Sequence, residues 1–158
     1  MAKGDLKTFL KCYIRYDVIR NCLAQILLCI LSFHKHTGLA HNDCYYGNFL
    51  YHRIQKGGYI HYKINKKDFY IENLGYLWMI NDFDMAEGQE DTYTDYKVAM
   101  EAFVNYTRIK KFNILVKEVL SIINSNNDDY KLFDALLEKL YTCDGNDDNV
   151  WNVTPYVL

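Results

Sequence analysis

Two short runs hold the side chains best suited to chemistry. The first is His41-Asn42-Asp43-Cys44-Tyr45-Tyr46-Gly47-Asn48, and the second, further along, is Asp82-Phe83-Asp84. As types they read H-x-D-x-x-x-x-N and then D-F-x. Their polar atoms are carboxylate and amide oxygens, the hard donors that Mg²⁺ prefers. Phosphoryl transfer asks for little covalent help. The phosphates must be held and a hydroxyl aimed in line, so oxygen donors from two adjacent loops suffice. A plainer reading of Asp82 and Asp84 is that they end a strand and open a turn. A zinc cluster of His34, His36, His41, Asp43 and Cys44 is disfavoured. His34 and His36, two apart on a helix, face different ways, and nothing else supplies ligand spacing.

Such a site needs a body to hold it. The chain has 158 residues, half of them apolar, which makes one domain or half of a larger one. Its formal charge of −2 leaves no basic footprint for nucleic acid. The clusters Lys63 to Lys67 and Arg108 to Lys111 read as solvated faces. Five cysteines (Cys12, Cys22, Cys29, Cys44 and Cys143) are odd in number and form no C-x-x-C. That argues for a reducing compartment and against a disulfide framework. The polar N-terminus does not read as a signal peptide. The apolar run Leu23 to Phe33 is short and contains Gln25, so it reads as a buried helix and no membrane partner is expected.

The positioning elements can be read in order. Leu6, Phe9, Leu10 and Tyr13 share one face of a short helix that follows Gly4-Asp5. Asp17 is a candidate cap for a long helix through about His36, with Gly38 as its stop. A short strand should lead into the His41 loop. Residues 48–54, 59–64, 69–72 and 76–80 are aromatic and β-branched and read as strands, with turns at Gly57-Gly58 and Asn65 to Asp68. After an acidic stretch from Glu87 to Asp95, three further helical patterns follow, the last through Leu132, Phe133, Leu136, Leu137 and Leu140. Asp95 is a candidate cap for the first of these. Trp151 and Tyr156 are expected to pin the tail.

The order of long buried helix, glycine, H-x-D loop and D-F-x resembles the C-terminal lobe of the protein-kinase superfamily. H-N-D-C-Y-Y-G-N-F-L-Y-H and E-N-L-G-Y-L-W-M-I-N-D-F-D, with a hairpin inserted between them, look like the protein-kinase-like proteins of large DNA viruses. The resemblance covers roughly the first two thirds of the chain. It implies an α+β fold, a mainly helical kinase-like C-lobe with a small β-hairpin region carrying the catalytic and metal loops, and no N-lobe. Residues 1–158 would be one such domain: 1–38 the hinge-like start and long helix, 39–84 the loops and hairpin, 85–158 the C-terminal helices and tail.

The resemblance implies that Asp43 is the catalytic base, with Asn48 beside it. Asn48 and Asp82 would hold Mg²⁺ against ATP, and Asp84 would lie near a second metal, as in related sites. Asp5 falls where the family contacts the nucleotide ribose. His41 would be structural, and Asp95 would tie down the H-x-D loop.

The departures matter. Asn42 replaces the commoner Arg, Tyr45 stands where a Lys usually touches the phosphate, and Asp84 stands where D-F-G has Gly. No A-P-E, glycine-rich loop or V-A-I-K-like lysine is present. The implied function is serine/threonine-type phosphotransfer from Mg-ATP, degenerate or incomplete for want of the N-lobe. A large exposed apolar patch around Asp5, Phe9 and the strand region, left by the missing lobe, would support this reading. One alternative is an inactive pseudokinase or virion-associated interaction module. Another is a small-molecule kinase of the choline or aminoglycoside type, whose H-N-D-C-x-x-G-N loop is close to this one. Implied partners are a separate N-lobe polypeptide or a virion or host protein, in host cytoplasm or virion.

Overall fold

In the computed structural model, residues 1–12, 15–88, 92–104, 106, 108–126 and 128–140 are described, with the backbone alone of 151–153. The elements in order are β1 (Gly4–Asp5), α1 (Leu6–Cys12), α2 (Tyr16–Thr37), β2 (Phe49–Arg53), β3 (Tyr59–Ile64), β4 (Lys67–Glu72), β5 (Tyr76–Ile80), α3 (Tyr93–Val104), α4 (Lys110–Ser125), α5 (Asp129–Leu140) and β6 (Trp151–Val153). A turn of 3₁₀ helix at Tyr46–Asn48 leads into β2. The expected roles of Tyr13, Leu137, Cys143, Trp151 and Tyr156 concern side chains outside the described set.

The centre of the fold is α2. Every residue from Cys22 to Leu31 is buried, because helices cover one side of it and strands the other. It is long and apolar enough to cross a membrane, yet 83% of its apolar window is buried within the fold. Gly38, at φ 72°, ends it and donates its N–H to the His34 carbonyl, a left-handed stop that glycine adopts without strain. The start differs from expectation. Arg15 holds the cap position and Asp17 lies inside the first turn, where the Arg15 guanidinium engages both its oxygens. A carboxylate there still faces the positive helix end.

Two three-stranded sheets flank α2, ordered β1-β2-β5 and β4-β3-β6. β2 and β5 run antiparallel, with Phe49 opposite Ile80 and Arg53 opposite Tyr76. Between them β3 and β4 make a hairpin closed at Asn65-Lys66, and Asn65 takes the positive φ that the tight turn requires. Alternation aims Tyr76, Trp78 and Ile80 inward, and likewise Ile60, Tyr62 and Ile64. Buried Asn73 ties the base of the insertion, bonding to Gln55, Gly57, Gly58 and Gly75.

A polar stripe at positions 21, 25 and 29 pins α2 to the strands. Asn21 donates to the Glu72 carbonyl at 2.7 Å, and the Cys29 thiol faces the Trp78 carbonyl at 3.4 Å. Gln25 donates to the Asn21 side chain and the Tyr76 carbonyl, and accepts from the Tyr62 hydroxyl and the Trp78 N–H. The outer edge of β5 is thereby satisfied by side chains instead of a fourth strand.

Leu6, Phe9 and Leu10 of α1 are buried. The Phe9 ring meets Tyr51, Tyr76 and Trp78 edge-on at 5.2, 5.2 and 4.9 Å and is 1% exposed. Phe9 therefore adds nothing to an exposed apolar patch, because the strand aromatics close over it. The strand expected after Gly38 is reduced to a single bridge between Ala40 and Glu87. At the far end Asp128 precedes α5 and accepts the Lys131 N–H at 2.9 Å, a side-chain cap.

Candidate active site

The β2–β5 ladder brings the two sequence runs together. Residues 41–48 enter β2 and residues 81–84 leave β5 at the same end, and the Asn81 N–H donates to the Asn48 carbonyl at 2.8 Å. Asp43, Asn48 and Asp82 therefore lie on adjoining loops, as their spacing in sequence could only suggest.

One buried imidazole joins the loops. His41 is 0% exposed, and its Nε2 lies 3.1 Å from the Asn81 carbonyl, which can only accept. The ring proton is thus assigned to Nε2, leaving Nδ1 to accept the Asp43 N–H at 3.3 Å. Burial holds the His41 pKa below its ordinary value, against the opposing pull of the Asn81 carbonyl and nearby carboxylates. A neutral ring suits this bridge, since a second N–H would face the Asp43 amide.

Asp95 anchors the loop from below. Its carboxylate accepts from His34 Nε2 at 2.7 Å, the His41 N–H at 2.7 Å and the Asn42 N–H at 2.9 Å. Burial opposes its charge, but the His34 ring and the two amides outweigh burial and hold its carboxyl below the usual range. Asp95 does not cap α3. The helix begins two residues earlier, at Tyr93, and the side chain turns inward to the loop.

Asn48 carries the most informative geometry. Its amide group donates to both the Asp43 carbonyl and Asp43 Oδ2, each at 2.8 Å. Both hydrogens are committed, so the amide oxygen is the end left for a ligand. The same contact orients the Asp43 carboxylate and leaves Oδ1 as its other acceptor. Asp82 is exposed and adopts φ 61°, and Asn42 adopts φ 63°. Two non-glycine residues in the left-handed region on facing loops are strained positions of the kind that gathers at sites. The Asn42 side chain donates to the Met85 carbonyl at 3.0 Å and clasps the segment after Asp84. Phe83 turns inward, stacked on Phe33 at 5.4 Å and edge-on to His41 at 5.6 Å, which drives Asp82 outward.

Asp84 is exposed, its N–H 3.5 Å from Asp82 Oδ1. Asp5 lies on β1 opposite Leu50, and one carboxylate oxygen caps α1 through the Thr8 N–H at 2.8 Å. Buried Cys44 is no nucleophile, because burial and the nearby Asp95 push its thiol far up. Among the described residues, no three His, Cys, Asp or Glu side chains gather as a metal cluster. Asn48, Asp82 and Asp84 carry oxygen atoms on adjoining loops, the donor type a hard cation takes.

Sequence reading missed the role of His34, and nothing in its position marks a helical histidine as a partner for Asp95, 61 residues on. It also missed a cleft of about 490 Å³ bounded by α1, Tyr45-Tyr46 of the loop, α3, Tyr106 and Arg108. Its available signal was Lys7 and Lys11, one helical turn apart on the face away from Leu6 and Phe9.

No family model and no solved structure matches the chain. A curated protein of Frog virus 3 (isolate Goorha), named "Putative serine/threonine-protein kinase 019R", is 41% identical over 72 residues. The match spans 44% of this chain but 8% of that protein, so the chain covers less than a tenth of that relative's length. Over that stretch, the chain is related to a viral protein with a kinase name.

Proposed function

We propose that these loops form the catalytic and metal side of a serine/threonine-type, protein-kinase-like phosphotransfer site that uses Mg-ATP. The observation that carries the reading is the arrangement of Asn48. Both of its amide hydrogens lie on Asp43, its oxygen is left for a cation, and the loop bearing Asp82 is hydrogen-bonded alongside. Asn48 and Asp82 would hold Mg²⁺, with Asp84 beside them. The bound ion supplies neutralisation of the transferring phosphates.

Asp43 does the work on the other reactant. Its Oδ1 accepts the proton of a serine or threonine hydroxyl as the hydroxyl oxygen bonds to the γ-phosphorus and the bridging P–O bond to ADP breaks. His41 and Asn48 hold the Asp43 backbone and carboxylate still while this happens. Asp5, on the neighbouring strand, remains the candidate for the ribose. A second reading, a module that holds nucleotide without transferring phosphate, is favoured by Tyr45. It is 52% exposed and carries no cation to the place where kinases usually have one.

Thermal unfolding of the 158-residue chain tests this. ATP at a hundred times Kd adds about 2.7 kcal/mol, a rise of about 5–11 °C at this size. The rise should require Mg²⁺ and vanish in Asp82→Asn. Asparagine tolerates the left-handed backbone at this position, so the variant removes charge and not fold. Asp43→Asn should keep the rise and lower phosphoryl transfer about 10²–10⁴-fold. No rise at millimolar Mg-ATP would sink both readings for this chain alone and leave a half that requires a separate N-lobe, or a scaffold. A rise without transfer would select the second.

A further inference from the structure

The cleft beside the catalytic loop has a chemistry of its own. Lys7 and Lys11 of α1 and Arg108 bring three cations to its lining, against Glu101 as the one acid among the lining residues, in a chain whose net charge is −2. Among the described residues, none of the three cations forms an ion pair. The Arg108 guanidinium donates to the Lys11 carbonyl at 2.6 Å, which ties the end of α1 to Arg108. The Lys7 ammonium lies 5.1 Å over the Tyr46 ring.

Tyr45 and Tyr46 are 52% and 42% exposed, large rings turned outward on the stretch between Asp43 and Asn48. Leu10, Val98 and Ala102 supply apolar surface below them. A free inorganic anion would use the cations and leave that surface idle. A peptide segment uses both, and about 490 Å³ accommodates several of its side chains.

We propose that this cleft receives an acidic peptide segment, glutamate- or aspartate-rich, adjoining the serine or threonine presented to Asp43. The inference rests on the phosphotransfer reading and names its substrate class. Tyr45 follows Asp43 by two residues. At about 3.3–3.6 Å per extended residue, an occupant of the cleft lies within about three residues of the hydroxyl. The acidic positions therefore flank the acceptor closely, with their carboxylates on Lys7 and Lys11.

The test is binding, so it does not depend on turnover. Fluorescence anisotropy would compare a labelled serine peptide flanked by glutamates with the same peptide carrying glutamines. The glutamate peptide should bind at least about tenfold tighter and weaken with salt, because the contacts are exposed charges. The double variant Lys7→Glu/Lys11→Glu should erase the preference. Lys63→Glu/Lys66→Glu, a matched reversal on the hairpin, should leave it intact. Equal binding of the two peptides, or a preference that survives reversal at Lys7 and Lys11, overturns the proposal. So does tighter binding of a single-stranded oligonucleotide of matched charge. If the acidic peptide fails while the Mg-ATP stabilisation holds, the cleft assignment falls and the phosphotransfer reading stands. If the acidic peptide binds as described with no Mg-ATP stabilisation, the cleft stands as a docking site and phosphotransfer by this chain alone falls.

Discussion

Along the seam between α2 and β5, Gln25 commits every hydrogen-bonding atom of its side chain to neighbours. At the loop end of the same two elements, Asp43 and Asn48 do not. Gln25 bonds to Asn21, Tyr62, Tyr76 and Trp78, and its environment is closed. Asn48 commits its amide hydrogens to Asp43, and the Asn48 amide oxygen and Asp43 Oδ1 stay outside that contact. Both regions place polar groups beside an apolar core. Where the accounts close inside the protein, the group fixes structure, because breaking it leaves buried donors and acceptors unpaired. Where they close only halfway, the remaining atoms are available to something else. The two regions also differ in what acid can do to them. Gln25 and Asn21 do not titrate, and burial pushes the Cys29 thiol up and keeps it neutral. The loop end hangs on His41 and Asp95, which do titrate.

The largest expected effect comes from removing the anchor of the open region. Asp95→Ala leaves His34 and two loop amides without their acceptor and should cost about 3–5 kcal/mol, read from urea unfolding. The wild-type chain should show the same dependence on acidification. The folded pKa of His41 lies below its ordinary 6.5. The unfolded chain therefore takes up that proton first, and stability begins to fall as pH drops below about 6.5. Asp95, also depressed in the fold, contributes stability that is present above about 3.8 and lost as pH falls through its folded value. Hydrogen exchange should find the amides of His41 and Asn42 opening in acid before those of β5. Equal opening would mean that the regions are not separable in this way.

Gln25→Leu probes the closed region at somewhat lower cost. It strands the Tyr62 hydroxyl, the Trp78 N–H and the Tyr76 carbonyl, and about 2–3 kcal/mol should be lost. The Mg-ATP stabilisation of the folded fraction should persist. If it vanished with Gln25, the loops would depend on the seam more closely than their separate bonding implies.

How far the sequence could show this difference follows from the interactions involved. Apolar periodicity exposed α2, and glycine chemistry exposed its end at Gly38, since both signals are local. The strands of the insertion were legible through β-branched and aromatic alternation. The pairing of β2 with β5 is a long-range matter, and it decides that Asn48 meets Asn81. The site residues were named from their types and order, and Asp95 from resemblance. The bonds that bind Asp95 to His34 and Asn42 to Met85 join residues dozens apart, with no local signature. Two errors have one cause. Asp17 and Asp95 were read as caps because an aspartate near a helix start usually is one. In the fold, the Arg15 side chain takes the first and the His41 loop takes the second, partners invisible to a local rule. The burial of Phe9 was hidden for a related reason, since Tyr51, Tyr76 and Trp78 reach it from other elements.

The smallest effect discriminates most finely within the open region. Asn42 holds φ 63° and bonds to the Met85 carbonyl, so it combines a backbone cost with a side-chain gain. Asn42→Gly relieves the first and forfeits the second, and the two should nearly cancel in stability. Asn42→Ala forfeits the bond and keeps a left-handed backbone that alanine tolerates poorly, so it should be about 1 kcal/mol less stable than the glycine variant. Both variants release the clasp on Met85, so both should weaken the Mg-ATP stabilisation by a similar amount despite their different melting points. If nucleotide response instead tracked stability across the pair, the left-handed turn itself would be the functional element. The clasp would then be a consequence of the turn: Asn42 would hold Asp43 in place through its backbone, with the segment after Asp84 following passively.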